Sequence, residues 1–257
     1  MEEREKKIAE PLPDRQPEPD RAAALKAERQ RRVKRLMCRL GVGAAVLAGL
    51  LLGVTVFHDR AYLWISLWIA LVSCLPFFLA FERKQNSTGH IVILAVLTIL
   101  SVMGRFAFAA VPHFKPVAAI VVITGMYLGP ESGFLCGAFS ALLSNILFGQ
   151  GPWTPFQMFA WGIIGFLAGL ASGILRRSRV ALGIGGALAG VLFSLLMDVW
   201  TALFLDGTLK LSRYFAAVAM AAPVTLVYAG SNVLFLLLLA GPIGKKLQRV
   251  MQKYGIT

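Results

Sequence analysis

Charge is the first thing this chain is short of. Of its 257 residues only 15% are Asp, Glu, Lys or Arg, 57% are hydrophobic, and the mean hydropathy is +0.70. Soluble domains carry about 25% charged and about 45–50% apolar residues, so an ordinary soluble enzyme domain is excluded for most of the length. Cysteine is scarce too. Cys38, Cys74 and Cys136 are widely separated, each in or beside an apolar run, with no Cys-x-x-Cys. That excludes a disulfide framework and predicts buried thiols. Beyond residue 35 the acids shrink to Asp59, Glu82, Glu131, Asp198 and Asp206. The catalytic templates are missing as well: no Gly-x-x-x-x-Gly-Lys-Ser/Thr phosphate loop, no His-Glu-x-x-His and no Gly-x-Ser-x-Gly. His58, His90 and His113 stand apart from one another and from any carboxylate at ligand spacing. Neither a metal site nor a cofactor is predicted, and the chain reads as a non-enzyme.

What is present falls into two compositions. Residues 1–35 hold eight acids, eleven Lys/Arg and the prolines Pro11, Pro13, Pro17 and Pro19. Such a stretch cannot build a core and reads as a partly disordered tail. It is too long and acidic for a signal peptide. A bilayer core of about 30 Å needs about 20 apolar residues in a helix, and the rest of the chain offers apolar runs at 36–57, 61–81, 91–108, 116–128, 130–148, 155–175, 180–205 and 214–240. The fourth is too short to span upright; it reads as tilted, or as a re-entrant piece packed inside the bundle. Pro116, Pro130 and Pro155 sit where helices can begin, Thr154 is a plausible N-cap, and Pro223 is expected to kink the last run. The expected fold is an all-α integral membrane protein.

If all eight runs cross and the N-terminus is cytoplasmic, 21 of the 26 Lys/Arg lie inside and only Arg60, Arg105, Lys115, Lys210 and Arg213 outside. The positive-inside rule therefore puts both termini in the cytoplasm. The net charge of +13 reads as topology and attraction to membrane lipid, with no nucleic-acid role. Small residues recur four apart at Gly165, Gly169 and Gly173, at Gly133, Gly137 and Ala141, and at Gly186 and Gly190. This is the spacing that lets helices approach closely in lipid.

Polar groups inside a membrane are costly and mark function by default. With this orientation they gather at the outer ends of the runs. Arg105 ends the third run, and His113, Phe114 and Lys115 follow in its loop. Asn145 closes the fifth, Gln150 and Trp153 lie in the next connector, and Gln157 and Trp161 begin the sixth. Asp198 lies 18 residues beyond Val180, about 27 Å at about 1.5 Å per residue, hence near the same interface. Apolar walls with a few placed polar groups are what a small-molecule site looks like. Each member also has a structural reading. Trp153 can be an interfacial anchor, Arg105 can snorkel to the surface, Asp198 can pair with Arg105 or Arg213, and Asn232 can make an interhelical hydrogen bond.

The stretch 114–133, with Leu128-Gly129-Pro130, and the stretch 145–162, with Gly149-Gln150-Gly151-Pro152-Trp153-Thr154-Pro155, resemble the substrate-binding S components of energy-coupling factor (ECF) vitamin transporters. The resemblance covers roughly 91–246, six runs, the number S components have. It implies a membrane core over 90–246, with residues 1–35, the two helices within 36–81 and a short basic tail at 247–257 as additions. It also implies a vitamin-like ligand bound from outside, docking on an ECF transmembrane coupling subunit with two cytoplasmic ATPases, and a place in a bacterial plasma membrane. The branch most resembled is the one assigned to cobalamin. S components typically carry an Ala-x-x-x-Ala spacing on the first core helix for docking; here Ala95 is followed by Ile99, so that pattern is broken. Two other classes remain open: a membrane adaptor or assembly protein without a ligand, and an integral-membrane lipid enzyme. The topology is directly testable. Reporters active only in the cytoplasm, fused at residues 86, 178 and 257, should all be active, and an inactive fusion at 178 beside an active one at 257 would break the six-run core.

Overall fold

The computed structural model describes residues 61–82, 87–206 and 209–255; the charged tail at 1–35 and the run at 36–57 lie outside the described residues. These residues form eight helices: α1 (Ala61–Glu82), α2 (Thr88–Ala107), α3 (Val117–Leu128), α4 (Pro130–Phe148), α5 (Thr154–Leu170), the single turn α6 (Ser172–Leu175), α7 (Arg179–Asp206) and α8 (Leu211–Lys253). No strand occurs among the described residues. Among them, α2, α4, α7 and α8 are long and apolar enough to cross a membrane, and the chain is an all-α integral membrane protein.

Local chemistry sets the helix ends. Ser87 caps α2, its side chain accepting from the His90 backbone N–H at 3.3 Å. Pro116 precedes α3, and Gly129, at φ +97°, separates α3 from α4, where Pro130 takes the first position. A residue with a Cβ would be strained at that φ, while proline costs nothing where the backbone N–H has no helical partner. Pro155 likewise sits in the first turn of α5; Trp153 precedes the helix and Thr154 is its first residue. The helix of the sixth run stops at Leu170, five residues short of Leu175. The last run is longer than its apolar stretch. α8 continues through Pro223 and Pro242 for 43 residues, about 64 Å at about 1.5 Å per residue, twice a bilayer core.

The short α3 is the centre of the bundle. At 12 residues it spans only about 18 Å, yet every residue but Tyr127 is buried. It is packed inside, against α4, α5, α8 and α2, as its length requires. Glycine makes that packing close. A Cβ on Gly165 would collide with the carbonyl oxygen of Gly133, one on Gly133 with that of Gly165, and one on Gly125 also with that of Gly165. The small-residue stripes of α4 and α5 are therefore the faces by which these helices meet each other and α3. Gly190 likewise meets the Ala229 backbone, joining α7 to α8. Gly173 faces open space. Overpacking of this kind costs about 1–3 kcal/mol. Gly165→Leu should lower the unfolding temperature of the detergent-solubilised protein or abolish its recovery, while Gly173→Leu should leave both unchanged.

Candidate functional site

Helices α2 and α4 run parallel. His90 Nε2 lies 2.8 Å from Ser132 Oγ at one end, and Arg105 meets Ser144 and Asn145 at the other. That second end carries the site. Between α2 and α3 the chain makes a tight loop, and Lys115 holds it closed. Lys115 Nζ donates to the carbonyls of Phe108 at 2.7 Å, Ala109 at 3.3 Å and Val111 at 3.2 Å. An ammonium has three protons, so its donors are used up at the C-terminal end of α2. Burial, and then the nearby Arg105 guanidinium, hold the Lys115 ammonium below the usual lysine range. His113 adopts φ +59° in this loop, a left-handed conformation costing about 1–2 kcal/mol for a residue with a Cβ. Its Nδ1 shares a 3.1 Å hydrogen bond with the Tyr228 hydroxyl on α8. Ser231 Oγ donates to the Lys115 carbonyl at 3.1 Å, tying the loop to α8 a second time.

Below the loop lies a cavity of about 260 Å³. Arg105, His113, Lys115, Gln157 and Trp161 line it, together with Phe193, Tyr228 and Asn232. Val117 and Ala118, the first turn of α3, face it as well. One wall is aromatic: Trp161 stacks on Phe193 at 5.3 Å and 14°, and Phe193 meets Tyr228 edge to face at 5.0 Å. The Arg105 guanidinium lies over the Phe148 ring at 4.7 Å and the Trp161 ring at 5.2 Å, a pair of cation–π contacts that partly replaces its hydration.

Asn145 organises the polar side. Its Oδ1 accepts from Arg105 at 2.8 Å, and its amide donates to Gln157 Oε1 at 2.8 Å and Thr154 Oγ1 at 3.0 Å. With Oε1 held, Gln157 Nε2 turns toward the cavity without a partner among the described residues, although the residue is 8% exposed. Asn232 is 4% exposed, lines the cavity, and its side chain makes no hydrogen bond among the described residues. Both residues line one cavity, so these free amide groups are open to a ligand.

The structure brings five of the ten sequence candidates to the cavity wall and sets the others around or beside it. Asn145 stands directly behind Arg105 and Gln157. Gln150 bonds to the helices on either side of its connector, donating to the Leu142 carbonyl of α4 at 2.8 Å and accepting from Thr154 at the start of α5. Trp153 is exposed, with its ring over Gly151. Phe114 packs against Phe108 and Phe235, away from the lining. Asp198 is buried on α7, and its Oδ2 has no hydrogen-bond partner. It pairs with neither arginine proposed for it: Arg213 bridges Asp206 at 3.0 Å, and Arg105 bonds Ser144 and Asn145. Phe193 and Tyr228 were not anticipated. Both sit in unbroken apolar helices where only the fold distinguishes a lining aromatic from a core one.

Asn145 is the member whose loss should be felt structurally. Asn145→Leu would strand a guanidinium proton and a glutamine oxygen, at about 1–3 kcal/mol for each buried group left unpaired, while Thr154 keeps its bond to Gln150. The variant should unfold at a lower temperature, whereas Gln150→Ala, on the exposed connector, should melt with the parent.

The family described as ECF-type riboflavin transporter, S component, matches residues 85–249. That span runs from just before α2 into the last part of α8 and contains every residue of the cavity wall. No solved structure matches the chain. A match over well over half of the sequence, centred on the helices that build the site, places this chain in the S-component family of ECF-type riboflavin transporters.

Proposed function

We propose that this chain is the substrate-binding subunit of an ECF transporter and takes a flat, aromatic vitamin of the flavin kind into the cavity between the Lys115 loop and α5, α7 and α8. The observation that carries the reading is the pairing of the Trp161–Phe193 wall with the unpartnered amides of Gln157 and Asn232. A planar ring with carbonyls and ring nitrogens at its edge would stack on the first and satisfy the second. Riboflavin, which the family's description names, has that shape. Cobalamin, suggested by the sequence resemblance, is the finer alternative. A cavity of about 260 Å³ lies just below the roughly 300–1,000 Å³ common for small-molecule sites, which favours a three-ring ligand over a corrin with its nucleotide tail.

The site end faces outward in this reading. Arg176, Arg177 and Arg179, and Lys245, Lys246 and Arg249 near the end of α8, belong to the opposite, cytoplasmic end. The Arg176 guanidinium over Tyr127, and Gly244 against the same ring, bring the two basic segments together, as the positive-inside rule favours. Partners are an ECF membrane coupling subunit and its ATPases, since the chain has no phosphate loop of its own. Residues 90–246 form the binding core, and the segments before it are additions.

Loss of one buried hydrogen bond costs about 1–3 kcal/mol, or about five- to 150-fold in affinity. Titration of the purified protein with riboflavin, followed by flavin fluorescence, should give saturable binding. Gln157→Ala and Trp161→Ala should weaken it by such factors, while Trp153→Ala binds as the parent does. Cobalamin that protects the protein against heat where riboflavin does not would replace the flavin assignment with the corrin one.

A further inference from the structure

The cavity is lopsided in charge. Arg105 has five N–H donors, and only those on Nη1 are used, by Ser144 and Asn145. Its Nη2 and Nε protons have no partner among the described residues, and no carboxylate lines the cavity. The nearest candidate on the facing helices, Asp198, lies outside the lining and forms no ion pair with Arg105. Lys115 adds a second positive charge to the wall, with its protons already committed to the loop carbonyls.

The backbone points the same way. Helix α3 begins at the cavity with Val117 and Ala118, and no side chain caps it. The first N–H groups of a helix have no intrahelical partner and carry the positive end of the dipole. The buried Gln157, with Nε2 free, presents another donor to the same space. The cavity is therefore bordered by free donors from Arg105, the start of α3 and Gln157, and the formal charge of its lining is positive.

Building on the flavin reading above, we propose that the occupant presents an oxyanion to Arg105 and the N-terminus of α3, so that the chain selects an acidic ligand, such as a phosphomonoester or carboxylate, over its neutral counterpart. A half-buried guanidinium without a counter-ion gains most from a ligand that brings one. Helix N-termini are recurrent anion sites for the same reason.

The test compares riboflavin with riboflavin 5′-phosphate on the full chain in detergent or nanodiscs at fixed ionic strength. Charge-assisted hydrogen bonds are worth about tenfold or more in affinity, so the phosphate ester should bind at least about tenfold tighter than riboflavin. Arg105→Gln should bring the ratio of the two affinities toward one, whatever it does to either alone, and Arg105→Lys should keep part of the preference. Equal binding, tighter riboflavin binding, or a preference that survives Arg105→Gln would each overturn the proposal. If neither flavin binds, the flavin reading fails, and the oxyanion seat is read separately from thermal protection by nicotinate against nicotinamide and by biotin against its methyl ester. Protection by the acids alone, lost in Arg105→Gln, supports the seat; protection by both members of each pair, or by neither, overturns it.

Discussion

The site depends on one charge kept inside an apolar bundle. Arg105 ends α2 with its guanidinium over two aromatic rings and held by two side chains of α4. A cation there is costly, and the two bonds its Nη1 makes fix the neighbours. Ser144 and Asn145 must sit on the α4 face turned to α2, and Asn145 must then reach across to α5. The chain of bonds Arg105–Asn145–Gln157 sets the register of three helices at one depth. In doing so it aims the Gln157 amide into the cavity. Stability and recognition are served by the same few atoms.

That register needs helices close enough for short side chains to meet, and the glycines supply this. Where Gly133, Gly125 and Gly165 converge, no Cβ fits between the backbones. The approach of α3, α4 and α5 at that depth lets a 12-residue helix be buried whole. Its first turn can then open on the cavity, where a spanning helix would carry its N-terminus out to the interface.

Much of this was legible in the sequence because a lipid bilayer makes depth calculable. Counting residues along apolar runs put Arg105, Asn145, Gln157 and Trp161 at one level, and the structure joins them. The same counting shows why the rest was hidden. It gives depth but not direction, so Trp153 and Gln150 shared the level while Trp153 lies over Gly151 and Gln150 bonds to α4 and Thr154. The Lys115 loop is tied to α8 through Ser231 and Tyr228, which brings the site to Asn232, a position that reads as mid-membrane packing in the linear sequence. Asp198 was expected to pair with Arg105 or Arg213, and it pairs with neither, because Arg213 bridges Asp206 and Arg105 bonds to α4. The missed aromatics, Phe193 and Tyr228, carry no signal of their own in apolar helices.

Helix α1 lies outside the stretch that matches the family, ending at Glu82 where the match begins at residue 85. Its packing nevertheless resembles that of a core element. The Phe77 ring stacks on Phe134 at 3.8 Å and 6°, and meets Phe166 edge to face at 5.1 Å, while Phe78 does the same with Phe139. These contacts lie on α4 and α5, the two helices whose opposite faces are drawn together by glycine. Aromatic pairs of this geometry add about 0.5–1.5 kcal/mol beyond the area they bury. In lipid, where apolar burial drives little association, such specific packing is what can hold an added helix in place. Helix α1 thus braces the α4–α5 pair through these rings and takes no part in the cavity wall.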